Sequence, residues 1–184
     1  MLEKLFEKLG MALEKSQIPY MIIGGQAVLL YGESRLTRDI DLTLGIGPDE
    51  FEKIVTLAEK IGLKISVQNP QEFVQKTFVL PTEDPPSGFR VDFIFSVTPY
   101  EKNAIQRAVS KKIGEATIKF AGLEDLIIHK IFAGRARDIE DMRNIISKNP
   151  EFDKAYVKKW LKEFDKSLSK SLEKTFQAVL DDLN

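Results

Sequence analysis

The chain has 184 residues, 43% apolar and 30% charged, with 27 basic against 28 acidic side chains, one histidine and no cysteine. That length fits one domain, or a core with a modest appendage, and is enough to bury a hydrophobic core. A disulfide framework is excluded, and a net charge of −1 removes the argument for indiscriminate nucleic-acid binding while leaving room for a local basic patch. The longest uncharged stretch that matters, Ile18 to Gly32, is broken by glycines and a proline and falls short of the ~20 apolar residues a membrane helix needs. The amino terminus, MLEKLFEKLG, mixes acid and base before any apolar block, unlike a signal peptide, so a cytoplasmic location without membrane association is expected.

Leu2, Leu5, Phe6, Leu9 and Leu13 recur at three- and four-residue steps and predict an amphipathic helix ending near Pro19. Tyr20 to Ile23 reads as a short buried strand running into Gly24-Gly25, and Gln26 to Tyr31 as a short helix stopped at Gly32. From Asp39 to Leu44 the residues alternate, with Ile40, Leu42 and Leu44 on one side and Asp39, Asp41 and Thr43 on the other. This pattern predicts a half-buried strand carrying two carboxylates on one face. Pro48 and Asp49 open a helix with Phe51, Ile54, Val55 and Ala58 inward, closing at Gly62. Strands are expected around Leu63 to Val67 and Phe73 to Leu80, followed by a turn-rich segment, Pro81 to Gly88, whose part from Thr82 to Gly88 reads as a mobile connection. Phe89 to Phe95 alternates again and sets Arg90, Asp92 and Ile94 on one face. A short helix after Pro99, a β segment from Val109 to Phe120 and helices almost to the end complete the chain. The apolar set from Val157 to Leu183 fits one long helix or two stacked ones. The expectation is an α+β protein: a mixed-sheet core over 1–120 and a C-terminal helical region over 121–184 packed on it.

Two carboxylates one residue apart on a strand lie ~6.5 to 7 Å apart at their Cα atoms and point the same way, so they can share a divalent cation. A third carboxylate, Asp92, on a neighbouring strand would complete a site for two metals ~3.5 to 4 Å apart, the arrangement that clamps attacking and leaving oxygens in phosphoryl or nucleotidyl transfer. With only hard oxygen donors, no cysteine and a single histidine, such a site prefers magnesium, or manganese, to zinc. Gly24-Gly25, lacking Cβ atoms, lets backbone amides approach a phosphate at the start of the following helix. Each piece alone is ordinary: Asp-x-Asp on a strand is more often a solvated face, and Gly-Gly after a strand more often a plain turn. Their order along one chain is what makes them specific.

In that order, an apolar strand, Gly24-Gly25, a short helix, Asp39-Ile40-Asp41 and later Val91-Asp92-Phe93, the chain resembles the DNA polymerase beta-like nucleotidyltransferase superfamily. Thirteen residues, Gln26 to Arg38, separate Gly25 from Asp39, at the long end of that family's spacing. The segments IGGQAVLLYG, TRDIDLTL and LEDLIIHKIFAGRARDIEDMRNI are similar to the branch of abortive-infection nucleotidyltransferases, toxins of bacterial toxin–antitoxin pairs. The resemblance spans Ile18 to Ser147 and implies a nucleotidyltransferase core in which Asp39, Asp41 and Asp92 bind the metals. It also implies that the triphosphate of a nucleoside triphosphate lies on Gly24-Gly25, that Asp92 accepts the proton of an acceptor hydroxyl, and that pyrophosphate leaves. That branch adds a lysine and an acidic residue, which match Lys130 and Asp138 here, with Asp141 as a further candidate. The bland alternative for these is a helical surface of solvated ion pairs worth ~0.3 to 0.5 kcal/mol each. The acceptor it implies is transfer RNA, another protein or a small molecule, with an antitoxin as partner.

Arg35, Arg38, Arg135 and Arg137 fall within the motif segments and suit phosphate, or equally a surface ion-pair network. The seven lysines from Lys154 to Lys174 are balanced by neighbouring acids, as on a solvated helix face. His129 belongs to no metal-spaced motif and reads as structural. Two other function classes remain open: a non-catalytic module binding nucleotide or protein on the same fold, which would be expected to lose one of the acids, and a metal-dependent phosphatase or nuclease, which leaves Gly24-Gly25 unexplained.

Overall fold

The period-two pattern of residues 39–44 and 89–95 becomes two neighbouring strands at the centre of the sheet. A computed structural model describes residues 1–33 and 37–183. Among them, seven strands form one mixed sheet: β1 (Tyr20–Ile23), β2 (Asp39–Leu44), β3 (Lys64–Ile65), β4 (Val79–Asp84), β5 (Phe89–Phe95), β6 (Val109–Ile113) and β7 (Ala116–Phe120). Their order is β3-β4-β5-β2-β1-β7-β6. β2 runs parallel to β5 and β1 parallel to β7, while the other neighbours are antiparallel. The chain divides into two compact units, Met1–Gln26 with Leu36–Ala121, and Ala27–Arg35 with Gly122–Asn184. Residues 27–35 thus group with the C-terminal helices. The fold is α+β.

In the first unit, helix α1 (Leu2–Lys15) buries Leu5, Phe6, Leu9 and Leu13. Phe6 meets Phe120 of β7 edge to face, with ring centroids 5.9 Å apart. Register carries this face across the sheet, since Ile22 pairs with Phe120 and with Leu42. Register partners point the same way, so Ile40, Leu42 and Leu44 look toward the face covered by α1, and Asp39 and Asp41 toward the other. A 3-10 turn (Pro48–Glu50) leads into α3 (Phe51–Lys60), named after the intervening helix α2 (Gly24–Tyr31). Leu57, rather than the expected Val55, joins Phe51, Ile54 and Ala58 in the core of α3.

The strand expected over Phe73 to Leu80 is instead helix α4 (Pro70–Thr77) followed by the start of β4. Pro70 sits in the first turn, where its fixed φ favours a helix start and its missing N–H costs nothing. Phe78 ends the helix in the left-handed region at φ 60°, its N–H donating to the Val74 carbonyl at 2.8 Å. The connection expected over Thr82 to Gly88 begins instead as strand, since β4 runs on through Asp84, and the turn is confined to 85–88. Pro81 is tolerated because β3 beside it has only two residues, and its carbonyl still accepts the Ser66 N–H at 3.0 Å. The Thr82 hydroxyl donates to the Val91 carbonyl at 2.7 Å, and buried Asp84 accepts from Lys8 Nζ at 2.9 Å, tying the hairpin to α1. Helix α5 (Pro99–Gln106) is capped by Thr98, whose hydroxyl accepts the Glu101 N–H, and leads into the β6–β7 hairpin.

The second unit holds the later residues of α2 with α6 (Leu123–Ala133), α7 (Ala136–Lys148), α8 (Lys154–Leu168) and α9 (Leu172–Asp182). Helix α2 begins at Gly24, two residues before the expected Gln26. The long apolar tail is two helices. Ser169 breaks it at φ 52°, and the Asp165 carboxylate accepts the N–H groups of Leu172 and Glu173 at 2.6 and 3.0 Å, capping α9. Asn149 Nδ2 donates to the Tyr31 carbonyl at 2.9 Å and Lys148 Nζ to that of Gly32 at 3.1 Å, which fastens the end of α2 to α7. No described helix is long and apolar enough to cross a membrane.

Candidate active site

Parallel pairing of β2 with β5 sets Asp39 beside Arg90 and Asp41 beside Asp92. Asp39, Asp41, Arg90 and Asp92 therefore share the sheet face opposite α1. Asp39 is half exposed, at 52% of its side chain, whereas Asp92 retains 17%. Arg90 lies between them: its Nη2 donates to Asp92 Oδ2 at 3.1 Å, and its Nε stands 3.9 Å from Asp39 Oδ1. Burial pushes the Asp92 carboxyl above the usual range. Arg90 opposes the shift and the charge of Asp39 adds to it.

Antiparallel pairing with β1 sets Ile23 opposite Asp41, so Gly24 follows directly beside that carboxylate. Gly24 has φ +65°, and a Cβ there would collide with Asp41 Oδ2. Gly25 meets Thr37 instead, whose side chain would lie 3.0 Å from an added Cβ. Buried Gln26 donates Nε2 to the Thr37 carbonyl at 3.4 Å, holding the approach to β2 against the glycine turn.

The Asp92 Oδ1 atom is buried and has no hydrogen-bond partner among the described residues. A buried carboxylate oxygen without a donor carries an uncompensated desolvation cost, which a cation would relieve. Together with two more acids on the same face, this all-oxygen set fits magnesium or manganese. Among the described residues, no three His, Cys, Asp or Glu side chains are gathered closely enough to enclose an ion, and Arg90 reaches both Asp39 and Asp92.

In the second unit Lys130 is buried, with Nζ 2.9 Å from Asp138 Oδ1 and 2.6 Å from Asp141 Oδ2. Arg135 Nε donates to the remaining Asp138 oxygen at 2.6 Å. Burial alone would raise the Asp138 carboxyl, but the hydrogen bonds from Arg135 and Lys130 outweigh it and hold the group below the usual range. Lys130, Asp138 and Asp141 are thus an interior ion cluster and not the solvated surface pairs that helical spacing allows. Arg38 and Arg137 are exposed, and Arg35 lies outside the described residues. His129 is partly buried, with its Nε2 atom shielded from solvent, and this desolvation lowers its pKa to about 4, so the ring is neutral at physiological pH. The residue that motif reasoning passed over is Arg90. Its signal was present, since alternation already set it two positions from Asp92 on the same face.

A family model described as nucleotidyl transferase AbiEii toxin, type IV toxin–antitoxin system, matches residues 14–183. No curated protein sequence matches. The fold is similar to the solution structure of the antibiotic-resistance factor ANT(2'')-Ia, at TM-score 0.61 and 14% identity over 99% of this chain and 94% of that one. It is also similar to an antigenic nucleotidyltransferase-like protein from Paracoccidioides brasiliensis, at TM-score 0.56 and 18% identity over 91% and 88% of the two chains. The lincomycin-bound lincosamide antibiotic adenylyltransferase LnuA gives TM-score 0.56 and 19% identity over 81% of this chain and 98% of that one. At such identities these likenesses speak for the fold.

Proposed function

Because the chain belongs to the AbiEii nucleotidyl transferase toxin family of type IV toxin–antitoxin systems and is a nucleotidyltransferase, we propose that it moves a nucleoside monophosphate from a nucleoside triphosphate to the hydroxyl of an acceptor. The acceptor classes we assign are RNA such as transfer RNA, a protein or a small molecule. We also assign an antitoxin as its partner and the cytoplasm as its place of action. The observation that carries this reading is the single face holding Asp39, Asp41 and Asp92 with Asp41 lying against Gly24.

Asp39, Asp41 and Asp92 would hold magnesium or manganese, which when bound neutralises phosphate charge and lowers the cost of the developing transition state. The Gly24-Gly25 backbone, with no Cβ in the way, leaves room for the triphosphate at the start of α2. Asp92 orients the acceptor hydroxyl and takes its proton, because a carboxylate beside a divalent cation stays ionised at neutral pH and can still orient the nucleophile. The acceptor oxygen bonds to the α-phosphorus, the bond from that phosphorus to the bridging oxygen breaks, and pyrophosphate leaves. Lys130 and Asp138 are assigned to nucleotide binding, through a cluster whose charges are already fixed by Arg135 and Asp141.

The test incubates the protein with each α-labelled nucleoside triphosphate, magnesium, total RNA and cell extract, and follows label into macromolecules. Transfer that needs Asp39 and Asp41 supports the assignment. Binding of all four nucleotides with metal but no transfer replaces it with a binding module.

A further inference from the structure

On the sheet face opposite the three aspartates, helices α1 and α3 wall an open groove of about 550 Å³. Lys8 and Lys15 stand along α1 and Lys53 and Lys60 along α3. Each pair is seven residues apart, two turns and about 10.5 Å of helix rise on one side of its helix. Met11, 49% exposed, and the buried Leu57 lie between them, and no acidic side chain lines the groove. Lys8 is paired with Asp84 and Lys53 with Glu50, while Lys15 and Lys60 form no ion pair among the described residues. In a chain of net charge −1, this is a local concentration of cations.

We infer that this groove binds the phosphate backbone of RNA. Lys15 and Lys60, one on each wall and without an ion pair among the described residues, suit a ligand with repeated negative charges that can meet both walls. Lysine, unlike arginine, offers a hydrated point charge with no planar fork, so it contacts phosphate in many orientations and independently of sequence. The exposed Met11 provides an apolar strip against which ribose can lie. The triphosphate is assigned to the other face of the sheet, so the groove takes a different part of the substrate. The inference rests on the transferase reading for its purpose, holding an RNA acceptor while its end reacts, and it selects RNA among the acceptor classes.

The experiment measures binding of fluorescent transfer RNA and a short single-stranded RNA to the full chain by anisotropy, without nucleotide, in EDTA, from 50 to 200 mM salt. Lys15→Gln/Lys60→Gln should bind about tenfold more weakly and flatten the plot of log affinity against log salt by about 1.4 to 1.8, the share of two phosphate contacts. A charge-matched variant on α8, Lys162→Gln/Lys166→Gln, should keep the wild-type slope. Asp39→Asn should keep RNA affinity whether or not it loses transfer, which separates this inference from the catalytic one. Absence of RNA binding by wild type overturns the inference, as does an equal loss in both lysine variants or an unchanged slope in the groove variant. Binding of polyglutamate in preference to RNA overturns it in favour of an acidic protein partner.

Discussion

Replacing Gly24 with alanine probes the contact between the glycine turn and the Asp41 carboxylate. At φ +65° the backbone is left-handed, which costs an L-residue about 1–2 kcal/mol. The new methyl would also strike the Asp41 carboxylate and force it off its rotamer, at roughly 0.5–1.5 kcal/mol. Lower entropy of the unfolded chain returns about 0.4–1 kcal/mol. The net loss is about 1–2 kcal/mol, a fall in Tm of about 2–8 °C for a chain of this size. Gly25→Ala is the matched comparison, because its φ is not positive and its methyl needs only a few tenths of an ångström from Thr37, so it should stay within about 1 kcal/mol of wild type. Thermal unfolding followed by circular dichroism gives the stabilities, and calorimetric titration with nucleoside triphosphate and magnesium gives binding. Gly24→Ala should lose both stability and affinity. If it melts within a degree of wild type and binds nucleotide equally well, or if Gly25→Ala is the more damaging, the reasoning from Gly24 to Asp41 fails.

Asp39→Asn and Asp41→Asn should abolish label transfer while leaving Tm without metal level or higher, because the amide keeps the shape but removes charge from an acidic face; surviving transfer would remove these acids from the site. Nucleotide affinity should collapse in EDTA, and equal affinity with and without the chelator would count against metal binding there. Lys130→Met should cost about 3–5 kcal/mol in urea unfolding, since it leaves Asp138 and Asp141 buried without their ammonium. His129 predicts a pH dependence: its pKa of about 4 lies below the usual 6.5, so the unfolded chain takes the proton first. Stability should be level above pH 6.5 and fall by about 3 kcal/mol on acidification to pH 4, at about 1.4 kcal/mol per unit, and His129→Gln should lose that slope.

The face bearing Asp39, Asp41 and Asp92 was legible because strand alternation is a local rule, and burial of Ile40, Leu42, Val91 and Phe93 forces the acids to the opposite side. The family resemblance was legible from the same residues and agrees with the family match. The segment from Phe73 to Leu80 was not, because scattered apolar residues mimic a strand there, while the deciding features were the proline at the helix start and the left-handed Phe78. Pro81 and the acids after it suggested a loose connection, yet a partner strand of two residues makes a proline acceptable within the sheet. The Lys130 cluster joins two helices across the bend at Gly134, so spacing along one helix could not reveal it.

Residues 27–35 are made early but grouped with helices made late. The Tyr31 carbonyl waits for Asn149, 118 positions further along. At about 5–20 residues per second a ribosome needs roughly 6–24 s to supply that partner, while the sheet's last strand, ending at Phe120, is synthesised well before. The segment that continues the glycine turn is therefore among the last to find its neighbours. A chain stalled between Phe120 and Asn149 carries all the described strands while the end of α2 still lacks its fastening to α7.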